Sequence, residues 1–314
     1  TGVCDKIIIY NYATQKWSTA DANASTIFSQ YVGAYTVELM DIISQNINLI
    51  LTLIIFGCLS GFLAGLLGAG GGMIIVPALF YAFKILGYSP DALMHLAVGT
   101  SLAIIFPTSL ISSYTHYKLG NVDLNLLKYS GIFLAIGIIF GAIFTSNINT
   151  QKLLIIFSFF AFVSSMIFLF QKEGKNKKKE IPRILKFVYG FITGFISIPI
   201  GIGGASVMVP IMKIYNYSIK VAIGTTAHLG IIISFLGLIS MMIGGKYIAE
   251  IDEPHSIGFV NLIGFFVFVP VTTVMASIGA KLVYKIKKEY LNKTFGIILL
   301  IISVRSIYES LNFS

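Results

Sequence analysis

The chain has 314 residues, of which 56% are hydrophobic and only 11% are charged, and its formal net charge is +9. A soluble domain averages about 25% charged residues, so this composition excludes an ordinary soluble protein. Long apolar runs recur at 49–67, 98–115, 129–146, 153–170, 187–200, 221–244, 257–280 and 294–308. Several are long enough to cross the hydrocarbon layer as helices, and none alternates apolar and polar residues as a barrel strand does. The sequence therefore predicts an all-α integral membrane protein.

The first 46 residues precede the apolar runs. They are polar and mixed, with one strand-like run at 7–10, and we expect residues 1–46 to form an extramembrane N-terminal extension without chemistry of its own. Cys4 and Cys58 are the only cysteines, and Cys58 lies inside an apolar run. Two distant cysteines do not have metal-ligand spacing, so neither a metal site nor a cofactor is predicted.

The first apolar run leads into a glycine-rich stretch, "GFLAGLLGAGGGMIIVPALF" at 61–80. Non-helical backbone is tolerated at membrane depth only where protein or a water-filled cavity covers it. We therefore predict a hairpin of two broken helices that turns at the glycines. Its second helix should begin near Met73, with Pro77 as a kink in its early turns.

The same elements recur later in the chain. When the sequence is shifted by 133 residues, seven glycine, valine and proline positions coincide, and the second short helix should begin near Ser206. Further on, "AVGTS" (97–101) matches "AIGTT" (222–226), and "GNVDL" (120–124) matches "GFVNL" (258–262). This ordered series predicts two homologous repeats, 47–171 and 187–314, joined by a basic linker, 172–186. The seven pairs are Gly57 and Gly190, Gly61 and Gly194, Gly68 and Gly201, Gly70 and Gly203, Gly71 and Gly204, Val76 and Val209, and Pro77 and Pro210.

The distribution of charge predicts how the repeats cross the membrane. Seven of the 22 basic residues lie in 171–186 and five in 281–293, so both segments should be cytoplasmic. The loop 244–256, with three acidic residues and one lysine, should then lie outside. Each repeat becomes a broken-helix hairpin plus three transmembrane helices, which gives 8–10 membrane segments, inverted repeats and both termini outside.

This topology also defines the compartment and the partners. We expect a multi-pass protein of the plasma membrane, or of the inner membrane in a bacterium. The basic segments should face the cytoplasm and touch anionic lipid, and no nucleic acid is expected.

The glycine turns are the predicted binding site. Short helices that begin at the turns would direct free N–H groups and the positive ends of their dipoles to the midplane, where an anion could bind. The alternative is that the glycines only allow close helix packing, which suits the four-residue spacing of Gly57, Gly61 and Gly65. The candidate substrate-binding glycines are Gly68, Gly70, Gly71, Gly72, Gly201, Gly203 and Gly204.

Hydroxyl groups and one histidine complete the predicted site. Thr100 and Ser101, with Thr225 and Thr226 in the second repeat, can donate to an anion, or alternatively cap a helix or bond back to the preceding turn. His228 lies well within an apolar run, where an ionisable group is costly and often functional; a structural imidazole is the alternative.

Together, the glycine–proline segments, the A-[VI]-G-T elements and the G-x-V-[DN] turns resemble the TauE/SafE sulfite-exporter-like family, also called the 4-toluene sulfonate uptake permease family. The resemblance covers 49–313, and its glycine motif falls on Gly68, Gly70, Gly71 and Pro77 and on their repeat counterparts. The second copy, "SIPIGIGGAS", is less glycine-rich. The resemblance implies a membrane protein that moves small anions such as sulfite, sulfoacetate or other organosulfur compounds.

The resulting hypothesis is a secondary transporter for a small anion that works by alternating access, not an enzyme. An anion channel built on the same site is the first alternative, and a membrane-embedded enzyme or assembly factor is the second. A homo-oligomer is compatible with the sequence.

Overall fold

The computed structural model describes residues 7–11, 16–20, 47–67, 71–170, 179–249, 253–282 and 288–313. The chain divides into two units, Thr1–Leu51 and Thr52–Ser314. In the first unit, strand β1 (Ile7–Asn11) pairs antiparallel with β2 (Lys16–Ala20), with Ile7 opposite Ala20. The strand-like run at 7–10 is thus confirmed, whereas β2 has no apolar run that would have predicted it.

Helices make up nearly all of the rest of the described chain. Seven of them are long and apolar enough to cross a membrane, and three shorter apolar helices accompany them, which confirms the all-α membrane class. A two-residue ladder of β3 (Ser256–Ile257) and β4 (Val260–Asn261) precedes α9. The helices are α1 (Ile47–Leu67), α2 (Gly72–Ile85), α3 (Leu93–Lys118), α4 (Leu124–Ser146), α5 (Thr150–Phe170), α6 (Arg183–Ile200), α7 (Ala205–Ile214), α8 (Ile219–Tyr247), α9 (Leu262–Leu282) and α10 (Lys288–Leu311).

The same order of helices occurs twice, as α1 to α5 and as α6 to α10. In each series a long helix ends at the glycine segment and a short one begins after it. The short helices start at Gly72 and Ala205, each one residue before the position expected from sequence. Pro77 and Pro210 lie inside these helices, where they cannot donate a backbone hydrogen bond to the preceding turn.

Small residues bring the long helices close together. A Cβ added to Gly61 would lie 2.5 Å from the carbonyl oxygen of Thr272 in α9, and one on Gly190 would lie 2.6 Å from that of Ser130 in α4. Real Cβ atoms do not approach backbone so closely, so α1 packs on α9, and α6 on α4, with almost no side chain between them. The packing role of Gly61 and Gly65 is confirmed, whereas a Cβ on Gly57 would make only an ordinary contact with Val271.

Helices α5 and α10 exchange hydrogen bonds in a reciprocal way. Ser165 donates to the carbonyl of Gly296 at 2.7 Å, and Ser303 donates to the carbonyl of Ser158 at 2.9 Å. Ser165 corresponds to Ser303 in the repeat, and Ser158 corresponds to Gly296. Exchanging each residue for its counterpart therefore turns one bond into the other, a pattern that two copies related by a two-fold axis produce.

Candidate functional site

The two short helices begin next to each other. The hydroxyl oxygen of Ser206, in the first turn of α7, lies 3.6 Å from the sulfur of Met73, in the first turn of α2. These two residues are repeat counterparts, so the start of each short helix faces the start of the other. Both side chains are buried in the protein.

Glycine conformation creates both helix starts. Gly71 and Gly204 have φ of 68° and 80°, a region that residues with a Cβ rarely adopt, and neither helix has a side-chain cap. The carbonyl of Gly71 accepts from the amides of Ile74 and Ile75, and that of Gly204 from the equivalent amides of α7. The first two amides of each short helix find no acceptor within the described residues, so the positive ends of two dipoles face one region.

The second glycine turn packs directly on the first short helix. A Cβ on Gly72 would overlap the carbonyl oxygen of Gly201 and lie 3.0 Å from the Cα of Ile202. The same Gly201 carbonyl accepts a hydrogen bond from Ser101 in α3 at 2.9 Å. The structure therefore brings Gly72, Ser101 and Gly201 together.

The other predicted glycines are placed as follows. A Cβ on Gly204 would lie 2.5 Å from the side chain of Ile233, and the carbonyl of Gly203 faces Gly230 in α8, so both pack against that helix. Gly68 and Gly70 lie outside the described residues.

The four predicted hydroxyls are all buried, but they have different partners. Ser101 contacts a glycine turn, as described above. Thr100 accepts from the backbone amide of Asn261, and Thr225 accepts from that of Asp123, each at 2.8 Å. Thr226 donates to carbonyls of its own helix, the bond back to the preceding turn that the sequence left as the alternative.

His228 lies beside a second histidine that the sequence placed only at the end of a span. The Nδ1–H of His228 donates to the carbonyl of Gly224 at 2.9 Å, and a Cβ on Gly224 would lie 3.2 Å from the Cβ of His116. His116 is fully buried, with its Nε2 3.4 Å from the carbonyl of Gly65. The sequence places His116 at the end of an apolar run and gives no sign that its side chain is buried, because the helices that cover the side chain are distant in sequence.

A small cavity of about 10 Å³ is lined by none of the described turn glycines. Among the predicted site residues only Pro77 lines it, together with Val76, Phe80, Tyr81, Met94, Leu154, Phe157, Ser306 and Glu309. Glu309 is buried at the end of α10 and pairs with Lys84. Within the described residues, no three His, Cys, Asp or Glu side chains are grouped to hold a metal ion.

A bundle of membrane-crossing helices, with two broken helices whose short arms start at one point, defines a polytopic membrane transporter. The model of the family described as sulfite exporter TauE/SafE matches residues 53–306, and the chain belongs to that family. It is accordingly a multi-pass transporter of the plasma membrane and not an enzyme.

Several relatives are named as probable membrane transporter proteins. One from Haemophilus influenzae is 28% identical over 81% of this chain and 97% of its own length. One from Methanocaldococcus jannaschii is 30% identical over 76% of this chain and 88% of its own. YunE of Bacillus subtilis is 26% identical over 82% of this chain and 97% of its own. No solved structure matches the chain.

Proposed function

We propose that the protein is a secondary transporter of a small sulfur-containing anion, such as sulfite, sulfoacetate or another organosulfonate. The observation that carries this proposal is the meeting of two uncapped helix starts at Met73 and Ser206. A helix N-terminus is equivalent to roughly half a positive charge, so two of them offer about one charge to an anion. This charge needs no buried lysine or arginine, which would be costly inside the membrane. The family's name supports a sulfur oxyanion as the substrate.

In this proposal the glycine turns surround the anion and nearby side chains orient it. Ser101 holds the turn at Gly201, and His228 lies two residues before Gly230, which faces the carbonyl of Gly203. The proposed contacts of the anion are Gly68, Gly70, Gly71, Gly72, Thr100, Ser101, Gly201, Gly203, Gly204, Thr225, Thr226 and His228.

We further infer that the repeats 47–171 and 187–314 are inverted and that one half rocks against the other. The reciprocal bonds between α5 and α10 support a two-fold relation between the halves. Loop contacts support the sidedness: Tyr88 donates to the carbonyl of Pro254, and Thr150 to that of Asp91, so three loops expected outside lie together. The linker 172–186 is then cytoplasmic, and the extension 1–46 and both termini lie outside.

The test is uptake of labelled sulfite by purified protein in vesicles, with sulfoacetate, thiosulfate and sulfate as competitors. The wild-type protein should show saturable uptake, and the double variant Gly71→Leu/Gly204→Leu should lose it. Gly87→Leu is the matched control, because Gly87 also has positive φ (80°) but no atom lies within 4 Å of its Cβ position. If the double variant and this control behave alike, backbone strain and not the site explains the loss.

The same vesicles distinguish a carrier from a channel on this site. Unlabelled sulfite on the opposite side accelerates labelled uptake through a carrier only. Linear, non-saturating flux without this acceleration would replace the transporter with an anion channel.

A further inference from the structure

Two equivalent junctions tie the halves of the molecule together. In the first, the Asn261 junction, the backbone amide of Asn261 donates to the hydroxyl oxygen of Thr100 at 2.8 Å. Its side-chain amide donates to the hydroxyl oxygen of Tyr88, also at 2.8 Å. Tyr88 and Thr100 belong to the first repeat and Asn261 to the second, so this junction crosses between the halves.

The second, the Asp123 junction, has the same design with the halves exchanged. The backbone amide of Asp123 donates to the hydroxyl oxygen of Thr225 at 2.8 Å, and its carboxylate accepts from the hydroxyl of Tyr217. Burial, with the nearby Asp123 carboxylate, raises the pKa of Tyr217 to about 12, so this hydroxyl keeps its proton and remains a donor.

Backbone approaches backbone at both junctions. A Cβ on Gly99 would overlap the carbonyl of Phe259, and one on Gly224 would overlap the carbonyl of Asn121. Only glycine fits at these points, which explains the glycine in both A-[VI]-G-T elements. The glycine and the threonine that follows it therefore form one contact surface with the opposite half.

We propose that the Asn261 and Asp123 junctions are two latches that open in turn during transport, and that Asn261 and Asp123 are the positioning residues that close them. This inference rests on the rocking motion of the proposed function. Both latches are closed in this structure, and a rocking motion that separates Thr100 from Asn261, or Thr225 from Asp123, must break one of them while the other acts as its pivot. Because Thr100 precedes Ser101, opening a latch displaces residues at the glycine turns.

The latches differ by one chemical group. The Asp123 carboxylate accepts a charge-assisted hydrogen bond, which is roughly twice as strong as a neutral one. The Asn261 amide instead donates to neutral oxygens, those of Tyr88, Ser256 and Pro254. The Asp123 latch is therefore the harder of the two to open.

Both side chains also cap their own helices. Asp123 accepts from the amide of Leu126 at 3.0 Å, and Asn261 accepts from that of Gly264 at 2.9 Å. Asparagine and aspartate cap helices equally well, so Asp123→Asn and Asn261→Asp keep the caps while changing the latches.

Reporter cysteines can follow each latch separately in detergent, where both faces are accessible and no substrate is needed. Native Cys4 and Cys58 are first replaced by Ser and Ala. A single cysteine then replaces Ala97 or Ala222, which are fully buried repeat counterparts one turn before Thr100 and Thr225. The measurement is the rate at which a maleimide labels each cysteine.

Asp123→Asn weakens one charge-assisted bond, and we expect labelling of the cysteine at 222 to accelerate about fivefold while labelling at 97 does not. Asn261→Asp replaces the amide donor by a carboxylate that the Tyr88 hydroxyl can donate to, as Tyr217 does at the Asp123 latch, and should slow labelling at 97 alone. Ser218→Ala is the control, because it removes the cap of α8 without touching a latch.

Unchanged labelling in both variants, or an equal change at both reporters, would overturn the proposal, since a merely weakened fold has no preferred side. Selective labelling without any sulfite uptake would support the latches and reject only the sulfur anion as the substrate. Saturable uptake without selective labelling would reject the latches and support the proposed transporter.

Discussion

Replacing Gly72 by alanine tests whether the contact between the glycine turns controls binding. The backbone of Gly72 is helical, so alanine introduces no strain in φ. Its Cβ would overlap the carbonyl oxygen of Gly201 and lie 3.0 Å from the Cα of Ile202, where ordinary contact begins at 3.4 Å. The overlapped atoms are backbone, so no change of rotamer relieves them. The larger overlap, with the carbonyl oxygen of Gly201, requires the turn to move by about 1 Å.

The expected magnitude follows from the cost of overpacking, about 1–3 kcal/mol. Relieving the overlap moves the turn that carries the proposed anion contacts; if the same amount, about 1–3 kcal/mol, is lost from binding, about 5- to 150-fold weaker binding corresponds to it. The assay is the concentration of labelled sulfite that half-saturates uptake into vesicles, together with thermal unfolding of the same preparation.

Gly131→Ala is the matched control. Gly131 lies in α4 with no atom within 4 Å of its Cβ position, so alanine there should leave uptake unchanged and stabilise the helix by up to about 1 kcal/mol. If the folded Gly72→Ala protein reaches half-saturation at the same sulfite concentration as the wild type, the placement of the site between the turns is refuted.

Three further predictions concern side chains that hold the bundle together. Ser101→Ala leaves a buried carbonyl without its donor, which costs about 1–3 kcal/mol, so its thermal unfolding temperature should fall further than that of Ser130→Ala, whose hydroxyl bonds only within its own helix. Ser165→Ala and Ser303→Ala remove exchanged bonds between α5 and α10, and their unfolding free energies should fall equally, within about 0.5 kcal/mol; clearly unequal losses would contradict the reciprocal relation. Because the pKa of Tyr217 is raised to about 12, the folded state holds this proton more tightly than the unfolded one; its contribution to stability should be complete below pH 10 and decline as the pH rises towards 12. Denaturant unfolding over that range should show less alkaline destabilisation in Tyr217→Phe, and an unchanged pH dependence would argue against the shift.

Membrane class, the repeat and the starts of the broken helices followed from sequence because each has a local cause. Apolar runs match the length of a membrane-crossing helix, and glycine interrupts a helix wherever positive φ is required. The short helices begin at Gly72 and Ala205, one residue from their predicted starts. Glycine spacing of four residues likewise placed Gly57, Gly61 and Gly65 on one helix face, which packs against α9.

The partners of the polar side chains could not be predicted in the same way. Both repeats carry a threonine after the glycine, which the sequence assigned to the anion or to its own helix. Packing also brought the Thr100 hydroxyl to an amide 161 residues away, a partner that no local pattern revealed. Burial of His116 also depends on neighbouring helices and not on its position near the end of α3.

Sequence by itself thus determined that this is a helical membrane protein built from two copies of one unit, because hydrophobicity and glycine conformation act within a few residues. Only the tertiary structure decided which hydroxyls reach the glycine turns and which join the two halves. The physical reason is that a hydrogen bond depends on distance in space. The amides that bond to Thr100 and Thr225 lie in the opposite repeat, 161 and 102 residues away in sequence.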